Sequence, residues 1–121
     1  MGSRATAEAS LMDLVVQEIR GRGDGLFILD SRTTPYSVVP QRARRAGVPH
    51  AANNLFLDAS DEYGSVASIQ ARRVASIAKR RGSAIAIGHV RRDTIDAVKG
   101  SLESWRREGI RLVPLADLMH R

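Results

Sequence analysis

Short apolar runs alternate with stretches of helical periodicity along this 121-residue chain, and glycine marks most of the joints. A chain that returns to a strand after each helix is suited to parallel pairing, because parallel strands need a crossover between them. Residues 6–18 read as a helix, with Leu11, Leu14, Val15 and Ile19 at helical spacing. Gly21, Gly23 and Gly25 end it and lead into a strand at 26–29. Pro35 precedes a short helix at 37–45, irregular at Pro40 and closed by Gly47, where a left-handed residue is wanted. An apolar stretch at 54–57 follows, then the longest predicted helix, 65–81, with Val66, Ile69, Ile77 and Ala78 on one face and Arg73 interrupting it. Residues 84–87 are a strand. Asp93 is placed to cap the last main helix, whose buried stripe is Ile95, Val98, Leu102 and Trp105. A final strand at 110–113 and a turn at 116–119 complete the chain. The expected class is α/β, with helices packed on a parallel sheet. Four strands are half of what a closed barrel of this type holds.

The ends of the predicted strands carry the polar chemistry. The first runs into Asp30-Ser31-Arg32-Thr33-Thr34, the stretch at 54–57 into Asp58, and the run at 84–87 into Gly88-His89. In a parallel sheet, groups just past the carboxyl ends of strands converge on the crevice where ligands bind. Asp30 and His89 are therefore expected at the same edge, near Arg32 and within about a dozen ångströms of each other. His89 suits a general acid near neutrality, and Gly88 leaves space beside it; the alternative is a histidine that merely closes the strand end. Asp30 either orients a histidine or arginine across the crevice or bonds the backbone of its own turn. Arg32 can pair with Asp30 or Asp58, or grip a ligand carboxylate with two bonds. Asp58, Asp61 and Glu62 form a small acidic cluster that reads as a cap for the helix beginning near Ser65.

Composition narrows the chemistry. The net charge of +6 comes almost wholly from arginine, Lys79 and Lys99 being the only lysines. The arginines fall where helices should end, where cations meet the negative end of the dipole. No aromatic residues interleave with them as base stacking requires, so no nucleic-acid partner is expected. Cysteine is absent, which removes thiol catalysis and Cys-based metal sites. His50, His89 and His120 show no metal-binding spacing, and a catalytic divalent site usually takes three protein ligands, so no metal site is expected within this chain. Gly21, Gly23 and Gly25 precede a strand instead of following one, the wrong order for a phosphate loop. No apolar run approaches the roughly 18–20 residues of a membrane span, and no signal-peptide pattern is visible.

Met1-Gly2-Ser3-Arg4, Leu29-Asp30-Ser31-Arg32-Thr33-Thr34, Leu55-Phe56-Leu57-Asp58, Ala84-Ile85-Ala86-Ile87-Gly88-His89 and Gly109-Ile110-Arg111-Leu112-Val113-Pro114, in this order and spacing, resemble the divergent polysaccharide deacetylase family. Two departures stand out. Gly88-His89-Val90 replaces the usual Gly-His-Pro, and Asn53-Asn54 replaces Arg-Asp before the Phe-Leu-Asp.

The resemblance implies a parallel-sheet segment like the C-terminal half of a distorted β/α barrel of the glycoside hydrolase and deacetylase type. Residues 1–121 are then one partial domain. It implies hydrolysis of N- or O-acetyl groups on carbohydrate, with His89 and Asp30 as catalytic residues and Ser31, Arg32 and Asp58 contacting substrate. The family's paired aspartates and metal-binding histidines lie in an N-terminal half that has no counterpart here. The divalent metal expected for the complete domain, such as zinc, is therefore not expected in this chain, which should be inactive alone. The alternative is a non-catalytic carbohydrate-binding or protein-interaction module of the same fold. Expected partners are carbohydrate and either a second copy or a complementary N-terminal half, because bare sheet edges invite pairing. The family's associations point to the periplasm or cell envelope.

Overall fold

The computed structural model describes residues 2–58 and 66–120. Asp61, Glu62 and Ser65, named above in the acidic cluster and helix start, lie outside them. The chain divides into two compact units, one of residues 1–52 and 114–121 and the other of residues 53–113.

Unit 1 contains α1 (Gly2–Thr6), α2 (Ala9–Arg22), β1 (Ile28–Asp30), α3 (Val39–Ala46), β2 (His50–Ala52) and a 3-10 turn (Leu115–Leu118). The helix expected at 6–18 is α2, which starts at Ala9 and runs on to Arg22, while Thr6 ends the separate short helix α1. The Thr6 carbonyl accepts the Val38 amide at 2.8 Å. The buried side of α2 is Met12 and Val16; of the expected stripe, Ile19 packs on the core and Val15 is half-buried, while Leu11 and Leu14 are exposed. Val16, Ala43 and Val48 form the core, with Ile19, Ile28 and Ala46 packed around them. Gly47 closes α3 with a left-handed φ of 70°, as expected of a glycine there. β1 and β2 pair in parallel, Asp30 opposite Ala52. His50 is a buried strand residue, and on the other edge of β2 it exchanges both backbone bonds with His120, at 2.9 and 2.7 Å.

Unit 2 contains β3 (Leu55–Phe56), α4 (Val66–Arg81), β4 (Ala86–Ile87) and α5 (Arg92–Arg107). β3 and β4 are parallel, Leu55 opposite Ala86 and Phe56 opposite Ile87. The buried face of α4 is Ala67, Ala71 and Ala75, not the stripe begun by Val66 and Ile69. Residues four apart share a helix face, and alanines there admit a bulky neighbour. That neighbour is Trp105 of α5, which packs on Ala71 and Ala75 with Val74, Val98 and Ile110 around it. Its indole donates to the Ala71 carbonyl at 3.2 Å. Trp105 is core, as expected, but Ile95 and Leu102 of the predicted stripe are exposed. Asp93 lies inside the first turn of α5 and does not cap it; Arg91 holds the cap position, and its side chain does not bond the helix amides. The run at 110–113 is not a strand. Arginines do occupy the last turns of α2, α3, α4 and α5.

Among the described residues the fold is thus mixed α/β with two short parallel pairs.

Candidate functional site

Parallel strands in register end on the same side, and this fact builds the main polar cluster. Continuing the pairing of Leu55 with Ala86 and Phe56 with Ile87 by two residues sets Asp58 opposite His89. The Asp58 carboxylate is buried and accepts three hydrogen bonds. The His89 backbone amide reaches Oδ2 at 2.7 Å, the His89 Nδ1 lies 2.9 Å from Oδ1, and the Thr94 hydroxyl reaches Oδ2 at 2.7 Å. With Nδ1–H held by a carboxylate, the imidazole has a fixed orientation and tautomer, and Nε2 is left for chemistry. The His89 side chain is 65% exposed against 8% for Asp58. Gly88 is required by the close packing beneath: a Cβ there would sit 2.8 Å from Thr94 Cγ2.

Burial alone would raise the Asp58 pKa, but the hydrogen bonds from Thr94 and His89 outweigh it and hold the carboxyl at about 2, below its ordinary 3.8. A carboxylate whose folded pKa is depressed stabilises the fold above its unfolded pKa and loses that contribution as pH falls through the folded one. The shift amounts to about 2 kcal/mol. Urea unfolding of the chain is therefore expected to lose about that much stability between roughly pH 4 and pH 2. Asp58→Asn should flatten this part of the profile, and an unchanged slope would contradict the assignment.

The Asp58 acceptors are taken up by His89 and Thr94; the helix start near Ser65 that Asp58 was expected to cap lies outside the described residues. Thr94 escaped the sequence reading. The only available signal was a hydroxyl in the first turn of a helix that starts just after Gly88-His89.

Asp30, Ser31 and Arg32 lie in unit 1. Asp30 ends β1 and is 2% exposed. Its Oδ1 accepts the Arg32 amide at 2.9 Å, the local turn bond that was one of the two readings. Its Oδ2 is buried and accepts no hydrogen bond among the described residues. Arg32 takes a left-handed φ of 55°, uncommon for a residue with a side chain. Its exposed guanidinium makes no ion pair with Asp30 among the described residues. Ser3 donates to Thr33 at 2.6 Å beside this turn. Asp30 thus belongs to unit 1 and His89 to unit 2.

His50 sets its Nδ1 3.0 Å from the Val48 carbonyl, and its ring lies 5.9 Å from that of His120. Among the described residues, no three His, Asp or Glu side chains come together as metal ligands. In the Asp58–His89 cluster, both carboxylate oxygens and Nδ1 are already engaged, leaving one nitrogen donor. These groups do not fit a resident divalent cation.

A sequence model of the divergent polysaccharide deacetylase family matches residues 1–119. An uncharacterized protein of Haemophilus influenzae is 38% identical over 118 residues, which are 98% of this chain and 41% of the relative. The uncharacterized protein YibQ of Escherichia coli is 34% identical over 89 residues, 74% of this chain and 27% of that protein. The crystal structure of an uncharacterized protein from Agrobacterium tumefaciens is similar with a TM-score of 0.88 at 24% identity, over 96% of this chain and 46% of the other. That last likeness concerns the fold alone. The chain spans less than half the length of each of these proteins.

Proposed function

Because the chain belongs to the divergent polysaccharide deacetylase family, we propose that it carries the proton-transfer end of a carbohydrate deacetylase and does not complete the reaction alone. The observation behind this reading is the buried Asp58 carboxylate, 2.9 Å from Nδ1 of an exposed His89. Hydrolysis of an N- or O-acetyl group needs an activated water and a proton delivered to the departing nitrogen or oxygen. His89 is the proton donor, through Nε2. Asp58 acts through His89 as a positioning residue and not as a substrate contact. Asp30, Ser31 and Arg32 remain carbohydrate contacts, Arg32 by its exposed guanidinium. The water-activating groups, and the divalent metal such as zinc that serves the complete domain, come in this reading from outside this chain.

The chain is in this view one partial domain, part of a β/α barrel acting on envelope carbohydrate. Each described sheet has only two strands, and parallel sheets that small are rarely left without further cover. A complementary N-terminal half at the open strand edges supplies that cover.

The buried, unfilled acceptor at Asp30 Oδ2 favours a second reading, in which the chain binds carbohydrate without reacting.

Nuclear magnetic resonance titration of the chain with N-acetylglucosamine oligomers, with acetate measured in parallel, separates these outcomes. The proposal expects the His89 ring signals to shift and no acetate to appear. Shifts confined to the amides of Asp30 and Arg32 would favour the binding module. Neither set moving at millimolar oligomer would refute both, and acetate release by the chain with tightly bound stoichiometric metal would refute its incompleteness.

A further inference from the structure

α4 and α5 meet at Ala71, Ala75 and Trp105, and a groove of about 680 Å³ runs between the two helices. Short side chains line much of it, among them Ala97, Gly100, Ser101 and Ser104. Its two rims differ in charge. α4 contributes Arg72 and Lys79, whereas α5 and its end contribute Asp93, Asp96 and Glu108. Lys79 and Glu108 approach to 3.8 Å at one end of the groove. Arg72, Asp93 and Asp96 have no charged partner among the described residues.

We propose that this groove is a two-fold contact between two copies of the chain. In a two-fold interface the same patch serves both subunits, so each contact occurs twice. An axis running along the groove exchanges its rims, laying the α4 rim of one copy over the α5 rim of its partner. Arg72 then meets Asp96 of the partner subunit and Asp93 of the partner subunit, and the Lys79–Glu108 pair joins its symmetry mate in a network of four charges. The opposite choice, α4 over α4, would stack like charges and is disfavoured. A foreign partner of one charge would match one rim and be repelled by the other. The short side chains of the lining let the facing helices approach without clash.

Sedimentation equilibrium of the full chain at micromolar concentrations tests the contact. A dimer is expected that weakens as salt rises to about 0.5 M, since exposed charge pairs are screened. Arg72→Glu and Asp96→Arg should each weaken it by about tenfold or more, and the double variant should restore it, because the swapped charges again face each other. Both positions are solvent-exposed, so circular dichroism should show each variant folded. A chain that stays monomeric would overturn the proposal. So would a dimer indifferent to the single variants, which would instead place the contact at a strand edge or another face. A double variant no better than the singles would overturn it equally.

Discussion

Trp105→Ala is expected to destabilise unit 2 by about 3–5 kcal/mol, the usual range for removing a large buried aromatic side chain. Trp105 is 8% exposed and packs against Ala71 and Ala75, whose small side chains cannot close the space it leaves. The Ala71 carbonyl also loses the indole donor held at 3.2 Å. Whole domains are stable by only about 5–15 kcal/mol, so unit 2 should be largely unfolded at moderate urea. Circular dichroism must report the transition, because Trp105 is the single tryptophan and its fluorescence disappears with it. Trp105→Phe keeps most of the ring and should recover more than half of the loss. A cost below about 1 kcal/mol for the alanine variant would show that the ring does not support the helix pair.

Asp58→Ala should cost about 2–4 kcal/mol and also release His89. The carboxylate gathers three donors, and its loss strands the buried Thr94 hydroxyl and the His89 amide. The His89 ring loses the acceptor at 2.9 Å that fixes its tautomer. Nitrogen-15 spectra of the ring distinguish the two effects. The wild type should show the proton on Nδ1 when the ring is neutral, and the variant a mixture of tautomers. Asp58→Asn retains one acceptor oxygen and should lie between them in stability. A wild-type ring with its proton on Nε2 would remove the basis for His89 as an oriented proton donor.

Strand ends were the legible part of this sequence. Asp30, Asp58 and His89 all follow apolar runs that form strands, because an apolar run that stops at a polar residue reports both the strand and its edge. The partnership of Asp58 with His89 was not legible. It depends on β3 and β4 being neighbours in a particular register, which no local pattern in either segment encodes. β2 was missed because His-Ala-Ala carries no β-branched or aromatic signal; it is a strand only because β1 and His120 pair with it. The reverse error occurred at 110–113, whose Ile-Arg-Leu-Val has every local mark of a strand but no partner among the described residues. Strand preference is largely a matter of neighbours. The helix faces failed for a different reason. Large apolar residues do not mark the buried side of α4, whose buried face is alanine, with the bulk supplied by Trp105.

The bond pair between His50 and His120 has a consequence for the order in which the protein is made. Unit 1 is discontinuous in sequence: it begins the chain, is interrupted by residues 53–113, and resumes only at Pro114. A nascent chain holds every residue of unit 2 once Val113 has been added, while β2 still lacks its second neighbour. The usual sequence, in which the part synthesised first is also finished first, is therefore inverted. During that interval one side of β2 is an unpaired strand edge of the kind to which another chain can attach. Only once His120 has been added and has left the ribosome can its backbone occupy that edge.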